Sequence, residues 1–266
     1  MKSKKEEALD GALLKMLEGL PLQAAKLLIK DKEIHNLQDY ANVVSIKRLS
    51  FNDHGPVHMK TVAINAVKMA TLLNQAGIKL NLEAEGIGTF EDSKTAIVIA
   101  AFIHDIGMTI GRENHEKNAI IIAYPILNRL LEKLYPDNFQ KLVIMRSLIT
   151  ECIVGHMATQ RIHSLEAGII LVADGCDMEK GRARIPMMIN TESRVGDIHK
   201  YSASEINKVR IEKGDKKPIK IKVEMNESVG FFQVEEVLLG KINFSPVKPY
   251  VELYAGVTGR QAKRYL

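Results

Sequence analysis

A chain of 266 residues, 46% hydrophobic and 26% charged, is long enough to bury a sizeable core and has the composition of a globular protein rather than a disordered or fibrous one. The net charge of +5 is too small to demand a nucleic-acid partner and suits an anionic small molecule, while the absence of tryptophan argues against an aromatic platform for single strands. Two cysteines, Cys152 and Cys176, exclude a disulfide framework. No secretory leader is legible and no apolar run reaches the roughly 18–20 residues that span a bilayer, so a cytoplasmic protein without a membrane partner is expected.

Residues 5–48 read as short helices: "ALLKML" and "AAKLLI" carry helical periodicity, with a break at Pro21. A long helix follows, with Asp53 as N-cap, Pro56 in the first turn and Gly77 at its far end. Residues 78–92, polar and glycine-containing, read as a loop, and Ser93 opens the next helix. That helix holds eight apolar residues, Ala96 to Ile103, and runs straight into His104 and Asp105. A segment built for burial that ends in two adjacent polar side chains needs something to satisfy them, because unpaired buried polar groups are costly. Further helices are expected from about His115 to Leu134, from about Asp137 to Gly155, and over 163–178.

After about residue 205 the pattern changes. In "KKPIKIKVEM", Ile219, Ile221, Val223 and Met225 alternate with Lys220, Lys222 and Glu224, the period of a strand with one buried face. "VGFFQVEEVLLGKI" reads as a helix and "PYVELYAGV" as another strand. The expected fold is mainly α, a helical domain over 1–205 followed by a small α+β unit over 206–266. The apolar face of its strand must be covered by something, and a homodimer contact is one candidate.

Potential metal ligands fall in the order His58, His104 with Asp105, His115, His156 and Asp174, on several helices or their ends. A lone histidine is more often structural or solvated, and His35, His163 and His199 are read that way; Cys152 and Cys176 are read as small core residues. The ordered set is similar to the HD-domain metal-dependent phosphohydrolases, whose pattern is a His, a His–Asp pair and a distant Asp on a helical bundle. Here these are "PVHMKTV", "FIHDIG" and "LVADGCD", within about residues 45–190. His115 and His156 resemble the further ligands of the binuclear subset, which includes cyclic-nucleotide and HD-GYP phosphodiesterases.

The resemblance implies that His58, His104, Asp105 and Asp174 hold one divalent ion, and that Asp105 bridges to a second completed by His115 and His156. Imidazole and carboxylate ligands suit Mn, Fe, Co, Ni or Zn. The implied reaction is hydrolysis of a phosphomono- or phosphodiester, of a nucleotide, by a metal-bridging hydroxide.

His54 lies four residues before His58, so a helix from Asp53 would put both on one face; cyclic-nucleotide phosphodiesterases carry a leaving-group acid at that spacing, though Gly55 stands where that family has Asn. The other reading of His54 is a solvated helix-start residue. Arg112, Lys180, Arg182 and Arg184 are candidates to hold phosphate, or else a solvated charge run. Met108 occupies the place of the HD-GYP lysine and the naming triplet is absent, which points away from cyclic dinucleotides. Two other function classes stay open: a diiron oxygenase on the same fold, and a metal-bound regulatory or binding module.

Overall fold

The computed structural model describes residues 2–180, 182 and 198–266. Helix α1 (Lys4–Lys15) opens on a capping box between Ser3 and Glu6. Helix α2 (Gly19–Lys30) begins after a break at Leu17–Glu18 rather than at Pro21; the proline sits in its first turn, where a missing N–H breaks no helical bond. In α3 (Lys32–Val43) the Asp31 side chain accepts from the N–H groups of Glu33 and Ile34, and the chain runs on as a π-helical turn, Val44–Arg48.

Helix α4 (Pro56–Gln75) has Gly55, not Asp53, as its N-cap. The Asp53 carboxylate accepts from the Gly55 N–H at 2.7 Å, so this turn closes before the helix starts and His54 lies outside it. Residues 78–92 contain a short helix, α5 (Asn81–Ala84), whose first N–H groups donate to the buried Glu166. Helix α6 (Phe90–Ile103) begins three residues earlier than Ser93, because Thr89 and Asp92 cap each other's backbone. Every residue of α6 from Asp92 to Ile103 is buried. A helix buried on every side, apolar throughout from Ala96 to Ile103, is central by necessity, and α2, α4, α8 (Phe139–Gly155) and α9 (Leu165–Gly175) surround it. Between α6 and α7 (His115–Leu134) lies a 3-10 turn, Ile106–Thr109.

Past α10 (Ile198–Ser204) come β1 (Ile206–Lys213), β2 (Ile219–Met225), β3 (Val251–Val257) and β4 (Lys263–Arg264), in that order across one sheet. β1 runs antiparallel to β2 with Val209 opposite Val223, β3 parallel to β2 with Leu253 opposite Ile221, and β4 antiparallel to β3. A π-helical turn (Gln233–Leu238) leading into α11 (Leu239–Phe244) connects β2 to β3. The fold is therefore mainly α with a small C-terminal α+β unit, as expected, with β1 and β4 in addition.

The alternation in β2 sets its burial: Ile219, Ile221, Val223 and Met225 are all at most 1% exposed. They belong to the same hydrophobic cluster as Val234, Leu238 and Ile242 and as the helical core, and α4 lies against β1 and β2. The apolar face is thus covered within the chain. Helix α11 meets α9 over two glycines seven residues apart. A Cβ at Gly168 would lie 2.6 Å from Ser245 Oγ, and one at Gly175 3.1 Å from Lys241 Cδ. Among the described residues no helix is long and apolar enough to cross a membrane.

Candidate metal centre

The six ordered ligand candidates converge from helix ends. His58 is in the first turn of α4, and His104 and Asp105 follow α6 directly. His115 opens α7, His156 follows α8, and Asp174 is in the last turn of α9. None is more than 6% exposed. α4, α8 and α9 pack on α6, and α7 packs on α8 and on the 3-10 turn after α6, which brings these ends together.

Asp105 is the centre. Its Oδ2 lies 3.1 Å from His58 Nε2 and 3.3 Å from His104 Nε2. Its Oδ1 lies 3.2 Å from both His115 Nε2 and His156 Nε2. Asp174 Oδ1 is 3.2 Å from His58 Nε2. Within each half the imidazoles also meet, His58 and His104 at 3.2 Å and His115 and His156 at 3.1 Å between Nε2 atoms. Two groups, His58–His104–Asp105 and Asp105–His115–His156, could each hold a metal ion.

The donor chemistry fits that reading. His104, His115 and His156 donate Nδ1–H to the carbonyls of Ala101, Arg112 and Ile153 at 2.6–2.9 Å. His58 Nδ1 is held by Asp177 at 2.6 Å. Each second nitrogen is fixed, so all four Nε2 atoms face the centre, the arrangement that metal-binding histidines adopt. Donors about 2.1 Å from one ion lie about 3.0–3.4 Å from each other, the spacing seen here. Two nitrogen pairs at that distance need positive charge between them, a proton or a metal.

The electrostatics agree. Burial works to lower the basicity of His58, but Asp105, Asp174 and Asp177 outweigh it and push its pKa up to about 10. His156, where burial dominates, falls to about 4. Burial would raise Asp105 and Asp174, yet their partners outweigh it and hold both well below the usual carboxylate range: the surrounding histidines, His104 and His115 among them, at Asp105, and Lys241 and His58 at Asp174. Both carboxylates stay charged, as ligands must.

Gly107 makes the geometry compact. A Cβ there would sit 1.9 Å from the His115 carbonyl oxygen and 2.5 Å from the Ala119 nitrogen. Only a glycine after "HDI" lets the start of α7 close down and bring His115 onto Asp105.

A cavity of about 420 Å³ opens beside the centre, lined by His54, Phe51, Asp105, Arg112, Asp174 and Lys241 among others. His54 is buried although it is off the helix. Its Nδ1–H donates to the Asn52 carbonyl at 2.7 Å, leaving Nε2 as the nitrogen open to proton transfer. Its ring centroid is 5.8 Å from that of His58. Burial, then the neighbouring Arg182 and His58, keep His54 well below an ordinary histidine.

Arg112 lines the same cavity, its guanidinium 5.6 Å from the Phe51 ring. Arg182 also lines it and is anchored to the carbonyls of Asp53 and Asp177. Lys180 is exposed, donates to Asn207 and is not among the lining residues. Arg184 lies outside the described residues. His35 pairs with Asp39, and the Cys152 and Cys176 thiols are buried, their pKa values raised by burial.

Two further residues at the site, Asp177 and Lys241, lie outside the ordered ligand pattern. Asp177 was legible as the last residue of "ADGCD", three after Asp174 and so on the same side of the helix end. Lys241 donates to the Asp174 carboxylate and to the His156 carbonyl. It falls on the helix face that carries Leu238 and Val234, and a lone lysine on an apolar stripe was its signal.

No family model matches the chain, and no solved structure matches it. Over 249 residues, 94% of this chain and 94% of the relative, it is 38% identical to "Uncharacterized protein MJ1020" of Methanocaldococcus jannaschii.

Proposed function

We propose that this chain, which belongs to the same family as MJ1020, is a metal-dependent phosphohydrolase acting on a phosphomono- or phosphodiester of a nucleotide. The observation that carries the proposal is Asp105, whose two oxygens each face a different pair of histidines at 3.1–3.3 Å. That arrangement suits a carboxylate shared by two ions. His58, His104, Asp105 and Asp174 would hold one ion, and Asp105, His115 and His156 the other. Two bound divalent ions would supply Lewis acidity to activate water near neutral pH and to polarise phosphoryl oxygens.

The chain's own residues supply the rest. Arg112, Arg182 and Lys241 line the cavity with positive charge, which favours an anionic ester. Phe51, Met157, Met178 and Val237 give the same cavity an apolar wall suited to a nucleoside. His54, buried beside His58, is placed to protonate the leaving oxygen. Burial keeps it neutral in the free protein, and the negative charge of a phosphate ester in the cavity would favour its protonated form.

Two expected results follow for metal uptake. With its pKa near 10, His58 carries an extra proton at neutral pH, and an ion at Nε2 must displace it. Affinity should therefore rise with pH, by about tenfold per unit between roughly pH 6 and 9 for each proton displaced. Calorimetric titration of metal-stripped protein in this range checks the slope, and a flat profile contradicts the assignment. Gly107→Ala should push the start of α7 away and lose the ion at His115 and His156 while largely retaining the other. Metal content of the folded variant decides, and two ions at wild-type level would remove the role given to Gly107.

The functional test is turnover of the metal-stripped chain reloaded with Mn, Fe, Co, Ni or Zn on phosphomonoesters, mononucleotides, cyclic nucleotides and dinucleotides. Release of phosphate or of a phosphomonoester, equal with and without oxygen and abolished by chelator, is expected. Turnover that needs oxygen, or none with any ester, contradicts the proposal.

A further inference from the structure

We infer that Lys241 is a positioning residue of the metal centre: the C-terminal α+β unit supplies the amine that fixes Asp174 as a one-oxygen ligand. This rests on the metal-centre reading above and extends it to a part of the chain outside the ligand pattern.

Asp174 is buried, and its two oxygens have different surroundings. Oδ1 faces the centre, 3.2 Å from His58 Nε2. Oδ2 faces away from that nitrogen and is met by Lys241 Nζ. The same amine donates to the His156 carbonyl at 2.9 Å. Lys241 therefore ties the end of α9 to the end of α8, between residues assigned to different ions. A buried carboxylate oxygen with no donor is costly. Without the amine, Oδ2 would have to turn toward the ion or remain beside the His156 carbonyl unpaired, and either alters how Oδ1 is presented.

The approach is built into the packing. Gly175, next to Asp174, has no Cβ, and the lysine stem lies over it; an added Cβ would come within 3.1 Å of Lys241 Cδ and 3.3 Å of Leu238 Cδ1. Leu238, one turn earlier, is fully buried and holds the helix against α9. The lysine is thus delivered by a packed helix, as a residue that orients a ligand must be.

The test is Co(II) titration of the metal-stripped full chain, followed by visible absorption, for wild type, Lys241→Met, Lys241→Gln and Lys241→Arg, with circular dichroism as the folding check. Wild type should take up two ions. Lys241→Met and Lys241→Gln should fold and bind the ion at His58, His104 and Asp174 about 10–100-fold more weakly, the usual cost of removing a ligand's outer partner. The absorption of that ion should change shape, which a merely structural lysine would not cause. Lys241→Arg, which keeps the charge, should restore part of the affinity. If Lys241→Met fails to fold, Lys241→Gln carries the same expectation. Two ions bound to either neutral variant with wild-type affinity and spectrum would overturn the inference, and a rise in substrate KM alone would reassign the amine to substrate. A wild-type chain that takes up no cobalt would overturn the metal centre itself, and this inference with it.

Discussion

Asp105→Ala is expected to leave the chain without either ion and without phosphoesterase activity. Asp105 is the only residue in both ligand groups, so its loss takes one donor from each and brings four imidazoles together with no shared anion. Metal-ion catalysis supplies several kcal/mol of transition-state stabilisation, so turnover should drop about 10³-fold or more, to background. Elemental analysis and ester turnover on one preparation check this. A variant with wild-type metal content would show that Asp105 is not the bridge.

The second large effect concerns His54. His54→Gln should keep both ions, because its Nδ1–H is spent on the Asn52 carbonyl and its ring is not in either ligand group. Turnover of esters with poor leaving groups, such as a sugar alkoxide, should fall about 10²–10⁴-fold, the scale for losing a positioned proton donor. Esters of p-nitrophenol, whose leaving group needs little protonation, should be much less affected. Equal losses on both substrates would reassign His54 to positioning the loop through its ring's contacts with Ser45 and the Asn52 carbonyl. Loss of metal would make it a ligand.

How much of this could be read beforehand differs by level. The all-apolar run of α6 ending in His104 and Asp105 was legible because burial leaves few ways to satisfy such a pair. The strand β2 was equally legible from its period of two. The start of α4 was misplaced because Asp53 can cap a helix or close a turn onto Gly55, and only the packed chain selects between them. The earlier start of α6 lay in the Thr89–Asp92 capping box, which the glycines nearby made look like loop. β1 alternates too, Val209 and Ile211 between Lys208, Arg210 and Glu212, but its apolar side is only half-buried and short, a weaker signal than the four fully buried residues of β2.

The site divides the same way. The ligand candidates share a residue type and an order along the chain, and that order was visible. Asp177 acts through His58 and Lys241 through Asp174, and their roles appear only when the end of α9 is brought against α4 and α11. Lys180 had the right charge and the wrong direction, spent on Asn207 at the surface.

The central claim is that one carboxylate joins two metal positions. The most direct measurement is anomalous scattering from crystals of the metal-loaded chain. Two peaks flanking Asp105 are expected, one beside His58, His104 and Asp174 and the other beside His115 and His156. A single peak with His115 and His156 turned away from it, or no peak at Asp105, would contradict it.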